Sequence, residues 1–308
     1  MRLIVPDTAS KPVVRALLTE SIPELPLTRL RLSHADEGSD TWEAGRAIIR
    51  FPKNAAEDER SALEAALHPD LERNLGAIVP ALTTVLEPSS FPYRILVFDK
   101  PRGRPGQTAE GPTIRPKPWA AKTLARDVAA ALSALHAMPV GPAQRAGVVR
   151  REMGIRPHVD VSEEAMAWAH RVVGPPVDTF VVDPLPEAAR AVGATVLCHG
   201  ALTGEHLYVS EDGTRLISIV GWSDVVIADP AVDFAGLAVW LGQDLLRETL
   251  ARYTGPADEG TFHRALFLAR SELLGRLDLV LSGEATTPKP VLDAQLRAAF
   301  AAPDPKRR

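Results

Sequence analysis

An α+β protein, sheet-forming over its first hundred residues and mainly helical afterwards, is predicted by three observations. Short apolar runs with β-branched residues near the N-terminus read as strands. Helical spacing of apolar side chains takes over from Trp119 onward. Between the two lies residues 100–118, rich in proline, glycine and arginine, which reads as a linker. The expected division is therefore a β-rich region at 1–99, a hinge at 100–118, a helical region at 119–303 and a tail at 304–308.

Along the first region, Leu27 to Leu32 alternates in polarity and Ala47 to Phe51 is an apolar run, so both read as strands. The polar stretch His34 to Thr41 between them reads as a turn. Ala56 to Leu67 predicts a helix that opens acidic, places Leu63 and Leu67 on one face and stops before Pro69. Arg94 to Phe98 is another strand.

In the second region, Leu124, Val128, Leu132 and Leu135 mark a helix, and Asp160-Val-Ser-Glu163 offers a capping box for one running through Trp168. Residues 195–198, 207–210 and 216–220 are short strands, the last two flanking the turn Glu211-Asp-Gly-Thr214. An Asp-Pro pair then opens a helix, Phe262 to Leu277 forms a long apolar stripe, and Pro288 precedes a final helix.

Composition bounds the function. With 308 residues, 45% hydrophobic and 24% charged, the chain can bury the core of one large domain or two lobes. A net charge of −4 offers no basic excess for nucleic acid or an anionic membrane. A single cysteine excludes an intramolecular disulfide framework and a multi-cysteine zinc site. No apolar run approaches the roughly 18 residues of a spanning helix, and the N-terminal apolar run is too short for a secretory signal. A cytoplasmic location is expected.

Thr195 to Ala238 carries the functional argument: TVLCHGALTGEHLYVSEDGTRLISIVGWSDVVIADPAVDFAGLA. Strand, tight loop, hairpin and second loop are expected to bring the residues after Cys198 beside those after Val220. The segment resembles the catalytic core of the aminoglycoside and macrolide phosphotransferases, small-molecule kinases with a two-lobed, protein-kinase-like fold. His199-Gly200 and Leu202 match the family's first loop, His-Gly-Asp-Leu, but Ala201 stands at the catalytic Asp position and His206 at the Asn position. Trp222 and the run Asp229-Pro-Ala-Val-Asp233-Phe-Ala235 match the second loop, but Gly221 stands at the metal-binding Asp position. Leu132-Ser-Ala-Leu-His136 resembles a further family helix, and His34 to Trp42 falls at the nucleotide-loop position.

The resemblance implies roles for particular residues. Arg50 would contact phosphate with Glu64 as its partner, and His199, Trp222, Asp229 and Asp233 would shape the loops. ATP and magnesium are the implied cofactors, with His206 and Gly221 at positions that would otherwise face them. The substitutions oppose that chemistry: Ala201 accepts no proton, Gly221 coordinates no cation, and an imidazole at 206 is a poor exchange for an amide oxygen on magnesium. The expectation is a pseudokinase that binds a small molecule or peptide in the interlobe cleft, or a biosynthetic enzyme as partner. The alternative is an active O-phosphotransferase for an antibiotic-like substrate with a relocated carboxylate, of which Asp224 is the first candidate, ahead of Glu205. A Cys198–His199 dyad is disfavoured because adjacent strand residues point to opposite faces. A zinc site at His199 and His206 lacks a third ligand.

Overall fold

The strand-forming tendency of the N-terminal part is realised as a five-stranded antiparallel sheet. Its strands are β1 (Arg31–Ala35), β2 (Ser39–Ala44), β3 (Ala47–Pro52), β4 (Leu82–Leu86) and β5 (Ile95–Asp99), in the order β1-β2-β3-β5-β4. This computed structural model describes residues 10–108, 111–114, 118–151, 161–183, 185–186, 189 and 194–301. The chain forms two compact units: residues 1–102, 145–147 and 218–224 in the first, and 103–144, 148–217 and 225–308 in the second.

In the first unit, one face of β2 and β3 buries Trp42, Ala44, Ile49 and Phe51 together with Val14, Leu17 and Leu18 of α1 (Lys11–Ser21). That amphipathic helix is absent from the reading of the sequence. Leu27–Arg29, expected as strand, is a single 3₁₀ turn, and β1 begins only at Arg31. The expected turn at 34–41 contracts to residues 36–38, because β1 runs to Ala35 and β2 starts at Ser39.

Helix α2 (Ala55–Leu75) is longer than expected and contains Pro69. Asn54 caps it by accepting the Glu57 amide at 2.9 Å. Its buried face runs through Glu57, Ser61, Glu64, His68 and Leu71, spaced by three and four residues. Most of that face is polar, so no apolar stripe advertised it. His68, buried, reaches the Pro80 carbonyl at 2.8 Å, and such tertiary anchoring carries the helix past the N–H that Pro69 lacks.

The segment expected as linker carries three short strands of the second unit, β6 (Arg104–Pro105), β7 (Gln107–Thr108) and β8 (Gly111–Pro112). Helices follow at α3 (Pro118–His136), α4 (Val140–Arg145), α5 (Glu163–Val173) and α6 (Pro176–Val182). The cap of α5 is Ser162, whose hydroxyl accepts the Ala165 amide; Asp160, expected in that role, lies outside the described residues. The strands β9 (Val196–Cys198), β10 (Leu207–Val209), β11 (Leu216–Ile219) and β12 (Val226–Ala228) come next, then α7 (Ala231–Leu250), α8 (Thr261–Ser282) and α9 (Lys289–Phe300).

Strand β9 does not join the β10–β11 hairpin: it pairs with β12, while β10 lies between β11 and β6. Helix α7 packs on α3, α8 and α9, burying Phe234, Leu237, Trp240 and Leu245. The stripe Leu266, Ala269, Leu273 and Leu277 of α8 is core, as its spacing requires. No helix among the described residues is long and apolar enough to cross a membrane.

Candidate functional site

The loop after β9 is held from below by one carboxylate. Asp233, in the first turn of α7 and fully buried, accepts the His199 amide at 2.8 Å and the Gly200 amide at 2.9 Å, one on each oxygen. His136, at the end of α3, approaches the same carboxylate with Nε2 at 3.1 Å and the Tyr253 hydroxyl with Nδ1 at 2.7 Å. Burial alone would raise the Asp233 carboxyl, but the His136 hydrogen bond and charge, His199 and the Gly200 amide hold it below the ordinary aspartate range. Burial first, and then the nearby acidic groups, push the Tyr253 phenol up, which keeps it a neutral hydroxyl.

A glycine completes the contact between helix and loop. A Cβ at Gly236 would stand 1.7 Å from the Leu202 carbonyl oxygen, so only glycine lets α7 approach the loop backbone this closely. On the far side of the loop, the Gln107 amide donates to the Gly204 carbonyl at 2.9 Å and Gly106 donates to Leu207 at 2.8 Å. Trp240 of α7 donates its indole N–H to the Gly106 carbonyl at 2.9 Å. The Pro- and Gly-rich segment is thus a brace for the loop, not a slack connection.

What this frame presents is chemically poor. Ala201 offers a methyl group. His206, at the end of the loop, sets Nδ1 3.3 Å from the Thr203 hydroxyl and its ring 5.3 Å from that of His199, which is completely buried. His136, Cys198 and Asp233 bring three ligand-type atoms within 4.8 Å of one another. They fit a metal badly: both ring nitrogens of His136 and both oxygens of Asp233 already serve the network above. Burial and the charges of Asp233 and Asp229 push the Cys198 thiol well up, and it points at the Ala228 and Asp229 carbonyls. The thiol is a packed, inert group, and no dyad with His199 forms.

Asp229 works as a second structural carboxylate. One oxygen accepts the Ala231 amide at 2.8 Å, opening α7, and the other meets Arg264 Nε at 2.9 Å. Arg264, itself buried, also donates to Asp258 at 2.8 Å. Tyr253, Arg264 and Gly236 were not singled out from the sequence. Arg264 alone left a signal there, as a charge immediately before the apolar run Ala265-Leu-Phe-Leu-Ala269 of α8.

In the first unit, Arg50 on β3 does meet Glu64 on α2, side chain to side chain, with only 12% and 2% of their surfaces exposed. Glu64 is therefore not a surface acid, as helices of this composition ordinarily display, but half of a buried ion pair. At the expected nucleotide loop, Asp36 accepts the Gly38 and Ser39 amides at 2.7 Å each, and Lys53 pairs with buried Asp40 at 2.9 Å. Two of the loop's amides are spent on its own carboxylate. Gly221 adopts φ +80°, and buried Trp222 donates its indole N–H to the Ile219 carbonyl at 3.2 Å. Asp224 is 43% exposed and lies 3.7 Å from Arg60. Burial raises Glu57 on α2; Arg50 and Arg60 oppose that rise, while Asp224 and Asp36 add to it.

The residues present do not fit the magnesium ion that the resemblance implies: position 221 has no side-chain donor, and position 206 brings an imidazole where a hard cation takes oxygen. The Arg50–Glu64 pair does fit an anion, since a guanidinium braced by a buried carboxylate presents fixed donors.

Comparison with known proteins agrees with this geometry. The profile of a phosphotransferase enzyme family matches residues 39–268. Viomycin phosphotransferase of Streptomyces vinaceus is 40% identical over 85 residues, which span 27% of this chain and 28% of that protein. Among solved structures, the GDP and kanamycin complex of APH(2″)-IIIa superposes with a TM-score of 0.68 at 17% identity, covering 93% of this chain and 96% of that one. The macrolide 2′-phosphotransferase MphH of Brachybacterium faecium gives 0.64 at 19% identity, over 95% and 98%. At these identities the structures establish a shared fold.

Proposed function

The chain belongs to the phosphotransferase enzyme family, and we propose that within it the protein is a pseudokinase, binding a small-molecule or peptide ligand, or a partner enzyme, without transferring phosphate. One observation carries this reading. The buried Asp233–His136–Tyr253 frame is complete and holds the loop backbone by two amides, yet the loop delivers a methyl group at Ala201.

Phosphoryl transfer is almost entirely positioning and charge stabilisation around metal-bound phosphates. Here the acceptor of the hydroxyl proton is gone at Ala201 and the metal carboxylate is gone at Gly221, while Arg50 and Glu64 keep an anion-holding geometry. Binding without turnover is the chemistry left over. Among ligands, a nucleotide is supported by Arg50 and opposed by the turn at residues 36–38, where the Gly38 and Ser39 amides already hold Asp36.

Thermal-shift titration of the purified protein with ATP, with and without magnesium, tests the proposal, because a ligand of the folded state raises its stability. A shift independent of magnesium, or none with any nucleotide, is expected. Metal-dependent ATP turnover, abolished by a loop substitution, would overturn it. The second reading, an active O-phosphotransferase, rests on Asp224, whose half-exposed carboxylate lies 3.7 Å from Arg60. Loss of turnover in Asp224→Asn would establish that reading.

A further inference from the structure

A cavity of about 330 Å³ lies in the second unit between α6 and α8, away from the loop after β9, and is lined by Phe180, Asp183, Pro186, His263, Leu266 and Arg270, with Pro176 and Thr179 of α6. Arg270 makes this more than a surface dent. Its guanidinium stands 4.8 Å from the ring of Phe300 and 5.7 Å from that of Phe180, both rings buried, and Nε donates to the Ala299 carbonyl at 3.1 Å. Among the described residues no carboxylate pairs with it. Every other largely buried arginine described above has one: Arg50 has Glu64, and Arg264 has Asp229 and Asp258.

A desolvated cation without a counter-charge is costly, and stacking on aromatic faces offsets only part of that cost. Burial, and after it the charges of Arg247 and Arg270, hold the His263 imidazole below its ordinary value, so it stays neutral at pH 7 and adds a polar edge without adding an acid. Burial pulls Arg270 itself down to about 10, which leaves it charged under the same conditions.

We propose that this cavity binds a small carboxylate with an apolar body, the carboxylate pairing with Arg270 and the body lying against Phe180 and Leu266. The volume falls in the range of small-molecule sites. A single guanidinium suits one carboxylate through paired N–H donors. Asp183 stands on the same wall, so a doubly charged phosphate meets more repulsion there than a singly charged carboxylate. Proline, phenylalanine and leucine side chains supply the dry surface that a short aromatic or branched acid covers.

Titration of the full chain by ligand-observed NMR and calorimetry decides the matter, using 3-phenylpropionate, the matching amine 3-phenylpropylamine, and inorganic phosphate. The acid is expected to saturate with a dissociation constant below about 1 mM, while the amine and phosphate do not bind. Arg270→Met, which keeps most of the stem stacked on the rings, is expected to weaken the acid by about tenfold or more. Thr179→Trp fills the mouth from an exposed position on α6, leaves Arg270 in place and is expected to weaken the acid equally, so the test survives if Arg270→Met fails to fold. Absence of binding by the acid, equal binding by the amine, or affinity unchanged in Thr179→Trp would overturn the proposal.

Discussion

The frame beneath the loop after β9 and the loop it supports have been kept to different standards. Beneath, every polar group is matched: Asp233 takes two amides and an imidazole, His136 takes Asp233 and Tyr253, and Gly236 leaves room for the Leu202 carbonyl. Above, Ala201 offers a methyl group and His206 an imidazole, neither of which is a carboxylate or an amide oxygen. The frame is demanded by folding, since a buried carboxylate or amide without its partner costs free energy whether or not the protein turns anything over. The reacting groups are demanded only by catalysis. The contrast separates the two requirements within one eight-residue loop.

The largest effect should come from breaking the frame. Gly236→Ala forces a methyl group into the Leu202 carbonyl, and Asp233→Ala strands two amides and an imidazole. Each is expected to destabilise by about 3–5 kcal/mol, read as a lower midpoint in urea denaturation at unchanged slope. If either variant retains wild-type stability, the frame is not what holds the loop. Asp233→Asn sharpens the comparison through pH. The native carboxyl lies below its unfolded value, so its contribution is present above about pH 4 and is lost as pH falls through the folded value. The stability gap between wild type and Asp233→Asn is therefore expected to close as pH is lowered below about 4, and a gap independent of pH would contradict the ionised form.

Arg264→Met ranks next, because it leaves buried Asp229 without its cation at the start of α7. About 2–4 kcal/mol is expected, with amide hydrogen exchange rising in α7 and α8 before it rises in the sheet of the first unit. Glu64→Gln weakens the Arg50 pair while preserving shape, for about 1–2 kcal/mol confined to the first unit. It should also reduce any anion-dependent thermal shift, which a purely structural pair would leave unchanged.

Restoring the missing groups should cost least. Ala201→Asp is expected to alter stability by less than about 1 kcal/mol. Gly221→Asp carries an added strain of roughly 1 kcal/mol, because position 221 sits at φ +80°. If the double variant hydrolyses ATP in the presence of magnesium, the frame has remained competent and only the tips were lost. If it does not, the difference extends to the turn at residues 36–38, where Asp36 holds the Gly38 and Ser39 amides.

The apolar runs around residues 47–51, 94–98, 195–198 and 216–220 were legible as strands, and the stripe from Leu266 to Leu277 as core, because period-two and period-3.6 burial leave direct marks in sequence; Phe262, expected in that stripe, is only half-buried, with Arg247 over its ring. Helix α2 was read as ending before Pro69 because a proline usually stops a helix, whereas buried anchoring such as that of His68 carries it through to Leu75. The brace at residues 104–108 was read as linker because proline and glycine signal turns equally well in slack and in packed segments. His136 was legible only as a packing residue, since its two partners lie 97 and 117 residues away.

By itself the sequence carried the resemblance to the family, in His199-Gly200, Trp222 and the Asp229 to Asp233 spacing, and it stated that Ala, His and Gly stand at 201, 206 and 221. Those are matters of which atoms exist, and a sequence states them outright. Only the tertiary structure decided which charges are paired: that Glu64 braces Arg50, that Asp233 is spent on the loop backbone, and that Arg270 lines a cavity without forming an ion pair among the described residues. Pairing depends on distances between residues far apart in the chain, and the free energy of a charge is set by what surrounds it, not by its place in the order of residues.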